Sequence, residues 1–198
     1  MNQDLVDEVN YMIDILTKSG FFSEDEILEI LEDQFIEDEI DFSKFEINPN
    51  DFNNKNFSIL EETFKKLAEK SIIGVHNCGY DFIEGIEDIF ELYVHLINNE
   101  YSVEGFCFYS FEDIEQAIEE NILKITFGDF EKDENKSLEI GKTVYKYLHD
   151  ANFEIEWDET VNSPIEIINF TWDKKFSEDN EYEIEGAYNL FVGVINEK

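Results

Sequence analysis

The chain has 198 residues, 42% of them hydrophobic and 15% aromatic, and sets 49 acidic residues against 14 cations, all lysine, for a net charge of −35. Spread over a surface on the order of 10,000 Å² for this mass, that charge excludes counterion-releasing contact with a nucleic-acid backbone and attraction to an anionic membrane. The 19 Phe, 9 Tyr and 2 Trp exclude acidic disorder, which lacks aromatics, so a core is expected beneath an acidic skin.

Two helices are predicted over residues 1–42. Leu5, Val9, Met12, Ile13 and Leu16 form a helical apolar stripe, and Gly20 is placed to end it. Ser23 with Glu26 reads as a capping box for the second helix, whose start also gathers Glu24 and Asp25 at the positive end of the helix dipole. Its apolar face is Ile27, Leu28, Leu31 and Phe35, and its other face carries Glu29, Glu32, Asp33, Glu37, Asp38 and Glu39. Residues 43–57, with Asn48-Pro49-Asn50 and Asn53-Asn54, read as a loop. Ser58 with Glu61 predicts a further capped helix to about Lys70.

Strands and helices then alternate. Ile72–Val75 reads as a short strand, and a helix follows Cys78-Gly79 to about Asn98, with Ile86, Ile89, Phe90, Tyr93 and Ile97 inward. Phe106–Tyr109 has the uninterrupted apolar character of a strand buried on both faces. Ser110 caps a short helix, Ile122–Phe127 is the next strand, and Leu138–His149 is a helix. Phe153–Trp157 alternates strictly and pairs with Ile165–Trp172, where a phase shift between Ile167 and Ile168 suggests a β-bulge. Residues from Ser177 end in an apolar stretch that fits an edge strand or a docking helix. The expected class is α+β: an acidic helical hairpin over 1–42 and a mixed α/β unit of about five strands over 58–198, joined in one compact body.

Several ordered motifs stand between Leu60 and Trp172: Asn77–Tyr80 followed by Gly85, Gly105-Phe-Cys-Phe-Tyr109, Phe127-Gly-Asp129, and Phe153-Glu-Ile-Glu-Trp-Asp158. With these the chain resembles a family of bacterial proteins described as a domain of unknown function. The resemblance implies a single-domain cytosolic protein and carries no catalytic residues. Members tend to have arginine just after the position of Trp172, where this chain has Asp173-Lys174-Lys175, and often Gln and Gly where Glu112 and Glu159 stand.

His76-x-Cys78 lies in a strand-to-helix turn beside Asp81, where chemistry often sits. A structural zinc site needs four ligands, usually with two closely spaced cysteines, and Cys107 inside Phe-Cys-Phe reads as a buried hydrophobe. Asp129, Glu131 and Asp133 resemble the start of a calcium loop, but Glu134 stands where Gly is required and Ile140 where Glu is. His95 and His149 sit near carboxylates or a helix end without a nucleophile partner. No catalytic, metal or cofactor motif is found, and none of these is expected. The N-terminal residues show no signal-peptide pattern, and two cysteines without a disulfide spacing suggest a reduced cytoplasmic setting.

Charge is unevenly placed. Ser23–Phe42 holds 10 acids and no base, and Ser71–Leu123 holds 12 acids and no lysine. A one-sign field of this kind steers a basic protein onto its target. The first reading is a non-enzymatic binding protein, such as an immunity protein or inhibitor, that meets a basic partner through Glu24, Asp25, Glu29, Glu32, Asp33, Glu37, Asp38 and Glu39. The second is a small-ligand protein or enzyme with a pocket at the strand ends around His76, Cys78, Asp81, Tyr109 and Asp129. The third is adaptation to high salt.

Overall fold

The computed structural model describes residues 3–38, 40–178, 182 and 184–197. It is an α+β fold built on one mixed sheet of five strands: β1 (Ile72–Val75), β2 (Gly105–Phe108), β3 (Leu123–Gly128), β4 (Glu154–Glu156) and β5 (Ile165–Ile168). The order across the sheet is β1-β2-β3-β5-β4. β1 and β2 run parallel, Val75 opposite Phe108, and the remaining pairs are antiparallel.

Among the described residues seven α-helices pack around it: α1 (Gln3–Ser19), α2 (Glu24–Gln34), α3 (Lys55–Ala68), α4 (Phe82–Asn98), α5 (Phe111–Glu120), α6 (Glu134–Asp150) and α7 (Ile184–Asn196). Strand alternation divides the core in two. Ile72, Cys107, Leu123, Ile125, Ile165 and Ile167 share one cluster with the apolar sides of α1, α2, α3, α5 and α6. Ile73, Val75, Phe106 and Phe108 face the other way, onto α4 and α7. The N-terminal hairpin therefore packs into the main core rather than standing apart. Beyond β2 the second face turns polar: Lys124, Thr126 and Glu166 are half-buried, and Glu154 and Glu156 are exposed. Among the described residues no helix is long and apolar enough to cross a membrane.

Local signals explain several boundaries. The Ser23–Glu26 capping box forms, Glu26 N–H donating to Ser23 Oγ and Ser23 N–H to the Glu26 carboxylate. α5 starts on a second one, Ser110 with Asp113. Replacing Ser110 by alanine is expected to lower stability by about 1 kcal/mol, read as a shift of the urea midpoint with unchanged slope. The final apolar stretch is a helix, docked on α4, α3 and β1.

Four expectations are corrected. α3 begins at Lys55, so Ser58 lies inside it and makes no capping box. Its first turn is capped from elsewhere: Asn56 N–H and Phe57 N–H each donate to the Asp173 carboxylate at 2.9 Å. Second, α4 turns Gly85, Ile89, Leu92 and Leu96 inward, while Ile86, Phe90 and Tyr93 flank the core and Ile97 is exposed. The helix is apolar on adjoining faces, and packing chose between them. Third, β4 and β5 pair in continuous register from Glu154↔Ile168 to Glu156↔Glu166, without a bulge. The phase shift is absorbed after the strand, where Asn169 takes φ 54° and returns Phe170 to the core. Fourth, α2 stops at Gln34, with Phe35 N–H closing onto Leu31 O. Glu37 and Asp38 fall in the turn beyond it, and Glu39 lies outside the described residues. Among the described residues four acids, Glu32, Asp33, Glu37 and Asp38, crowd the negative end of that helix dipole with no base in its last turn to offset them, which disfavours another turn.

Candidate acidic and aromatic binding face

The parallel pairing of β1 and β2 sets the geometry at their carboxyl ends. His76 follows β1 and Tyr109 follows β2, so their side chains stand on the same face, with His76 Nδ1 and the Tyr109 hydroxyl 2.8 Å apart. Gly74 makes room for this arrangement. A Cβ there would sit 2.8 Å from Phe64, whose ring lies over β1 and stacks on His76 at 4.6 Å between centroids. The imidazole is buried, and that burial, with the Lys174 ammonium as a second cause, lowers its pKa to about 3. It is a neutral core group.

Next to this pair lies a buried lysine. The Lys174 ammonium donates to Gly20 O at 2.5 Å and stands 4.4 Å from the Phe21 and Tyr182 ring centroids and 5.2 Å from that of Phe57. Desolvation lowers its pKa to about 8, opposed by the Glu61 carboxylate, which accepts from the Tyr182 hydroxyl at 2.7 Å. Ring faces offset part of the lost hydration of a cation. Trp172 completes the enclosure, its indole N–H donating to Ser19 O at 3.1 Å.

Above this floor opens a cleft of about 760 Å³. Phe21, Phe22, Phe176 and Tyr182 supply aromatic walls, Asp25, Glu26, Glu178 and Glu185 supply carboxylates, and Asn77 borders it. Asn77 takes φ 51°, and its buried Oδ1 has no hydrogen-bond partner among the described residues. Aromatic faces with carboxylates suit an ammonium or guanidinium group.

The eight predicted partner contacts divide. Glu24, Asp25, Glu29, Glu32 and Asp33 are exposed along α2, and among the described residues none is in an ion pair. Glu37 and Asp38 are exposed past its end, and Glu39 is not described.

The five residues proposed for a strand-end pocket separate. His76 and Tyr109 meet, but inside the core. Cys78 lies on the opposite face of the sheet, its thiol 3.3 Å from Gly85 O and its pKa pushed up by burial. Cys107 is likewise buried and raised, and both cysteines are free. Asp81 caps α4, accepting from Ile83 and Glu84 N–H at 2.7 and 3.0 Å. Asp129 sits at the far end of the sheet, past the end of β3, where Gly128 pairs with Phe106 near the start of β2. Its carboxylate accepts from Glu131 and Asp133 N–H at 2.6 Å each and so shapes the turn into α6. Residues that residue-type reasoning passed over, Lys174, Tyr182 and Asn77, define the cleft and its floor. The one available signal was a cation beside Trp172 in an otherwise acidic chain.

Fold and surface together define an acidic α+β protein with an aromatic cleft at the ends of its parallel strands. Residues 53–176, more than half of the chain, match the model of the domain of unknown function DUF6891. The chain belongs to that family. Neither a curated protein nor a solved structure matches it.

Proposed function

We propose that this protein is a non-enzymatic binding protein that captures a basic protein partner, in the manner of an immunity protein or inhibitor covering a toxin's substrate site. The observation that carries the reading is the row of exposed acids on α2, without an ion pair among the described residues, whose first turn opens onto the aromatic cleft. Fixed carboxylates of one sign accelerate encounter with a basic surface. A cleft of ring faces and carboxylates then accepts a lysine or arginine side chain, as the same Phe21 and Tyr182 rings hold Lys174 from within. Two free, buried thiols support a cytoplasmic setting.

The test is co-expression with the product of the neighbouring upstream gene, followed by stopped-flow association kinetics. The expected result is a stable complex whose association rate falls several-fold between about 50 and 300 mM NaCl, because the Debye length shrinks over that range. The rate should drop again, with little change in dissociation, when Glu29, Glu32 and Asp33 are replaced together by lysine. Association insensitive to salt would overturn the reading.

A further inference from the structure

The turn that leads from β1 into α4, together with the first residues of that helix, leaves large apolar side chains uncovered. Tyr80, Phe82 and Ile83 are 53%, 58% and 66% exposed, within four consecutive positions. Large apolar side chains left exposed at neighbouring positions point to an interaction site.

Its exposure does not come from looseness. Tyr80 N–H donates to the Glu84 carboxylate at 2.9 Å, and the N–H groups of Phe111 and Glu112 donate to Gly79 and Tyr80 O at 3.1 and 3.0 Å. With the Asp81 cap on α4, the segment is held on both sides. Gly79 is required at the bend, since it takes φ 68° and a Cβ there would collide with the backbone nitrogen of Gly85. The apolar side chains are thus presented in one conformation before any partner arrives, which lowers the ordering cost of binding.

A groove of about 490 Å³ runs beside Phe82, floored by Ile86, Phe106 and Thr126 and closed by Pro164. Acids predominate around it: Asp81, Glu84, Glu112 and Glu115 act on Tyr80, and Glu112 and Asp113 line the groove together with one cation, Lys124. The patch also continues into the cleft, through Tyr80 on Phe111 (6.0 Å between centroids) and Phe111 on Phe22 (5.8 Å).

We infer that Tyr80, Phe82 and Ile83 are the apolar anchor of the partner-binding face, seating an apolar side chain that lysine or arginine flanks on a basic protein. This rests on the reading proposed above and deepens it by placing the apolar contact outside α2. Charge complementarity selects the occupant. A second copy of this chain would bring two acidic rims together, and an anionic bilayer would be repelled. The division of labour is ordinary for interfaces: rim charge governs approach, while a desolvated apolar centre governs retention.

The experiment uses the full chain and two end-capped hexapeptides of equal charge, Lys-Lys-Leu-Phe-Lys-Lys and Lys-Lys-Ser-Ser-Lys-Lys, titrated at about 150 mM NaCl and read by backbone amide shifts. The apolar peptide is expected to bind about tenfold more tightly, the increment for a modest buried apolar area. Saturable shifts should centre on residues 79–86 and 111–115. Ile83→Ser should cut that advantage severalfold while leaving the melting temperature and the weak binding of the serine peptide unchanged, and Phe82→Ser should cut it too, with some loss of stability because its ring stacks on Phe108. Equal binding of the two peptides, or shifts confined to α2, would overturn the anchor and leave the basic-partner reading standing. Absence of binding by either peptide even at about 20 mM NaCl would overturn both. Concentration-dependent dimerisation lost in Ile83→Ser would assign the patch to a second copy and overturn the anchor.

Discussion

Asp173→Ala is expected to destabilise the protein by about 2–4 kcal/mol and to loosen the start of α3. The Asp173 side chain is nearly fully buried and accepts from two first-turn amides, Asn56 and Phe57, at 2.9 Å each. Hydrogen bonds to a charged acceptor contribute roughly 1.5–3 kcal/mol each, and a buried N–H left without a partner costs about 1–3 kcal/mol. The two losses overlap rather than add, because a truncated site admits some water. The carboxylate also meets the positive end of the helix. Asp173→Asn keeps one acceptor oxygen and should recover part of the loss. Urea midpoints measure the size of the effect, and amide exchange at residues 55–58 should accelerate before the rest of α3 does. A loss below about 0.5 kcal/mol would mean that the cap is dispensable.

The second expected result concerns pH. The His76 imidazole has a pKa of about 3 in the fold, set first by burial and then by Lys174, against about 6.5 in an unfolded chain. Between those values the unfolded chain binds a proton that the folded protein refuses. The unfolded state therefore holds more protons, and stability falls as pH drops below 6.5. The slope approaches 1.4 kcal/mol per pH unit, giving a loss of about 2 kcal/mol by pH 5. Other groups act in the opposite sense. The carboxyls of Asp88, Asp113 and Glu115 are raised, chiefly by burial, so the folded state binds protons more readily there and gains stability as pH falls. Relief of repulsion among the surface acids adds to that gain.

The histidine contribution is isolated by comparison with His76→Gln, which keeps a hydrogen-bonding partner for the Tyr109 hydroxyl and shares every other titrating group. The glutamine variant should be less stable at pH 8, because the stack on Phe64 is lost. The gap should narrow by about 2 kcal/mol as pH falls to 5. Urea midpoints from pH 8 to pH 5 at constant ionic strength give the difference directly, and a gap independent of pH would show that His76 is hydrated in solution.

Much of the architecture was legible in residue order. Ser23 with Glu26 set the start of α2 because both halves of a capping box lie within one turn. Phe106–Tyr109 was readable as a central strand because no polar residue interrupts it, and the strand itself spans Gly105–Phe108. The acid row on α2 was readable because exposed helix positions repeat at a fixed period. The start of α3 was not legible, since its cap comes from Asp173, 117 positions away from Asn56. The inward face of α4 was ambiguous, since adjoining stripes are both apolar. Gly85 decided it by letting the helix approach Phe108, which a Cβ would contact.

The binding face divides in the same way. Sequence by itself determined the sign of the surface, the α+β class and the absence of any lysine or arginine over Ser23–Phe42 and Ser71–Leu123. These depend only on composition and on periodicities of two and 3.6, which need no knowledge of distant neighbours. Tertiary structure alone decided that His76 and Tyr109 pair inside the core while Asp129 stands at the far end of the sheet. It also decided that Lys174 lies among Phe21, Phe57 and Tyr182, and that Tyr80, Phe82 and Ile83 remain uncovered. The reason is physical: whether an aromatic or a charge is buried depends on which helix lies over it, and that is settled by packing between segments far apart in the chain.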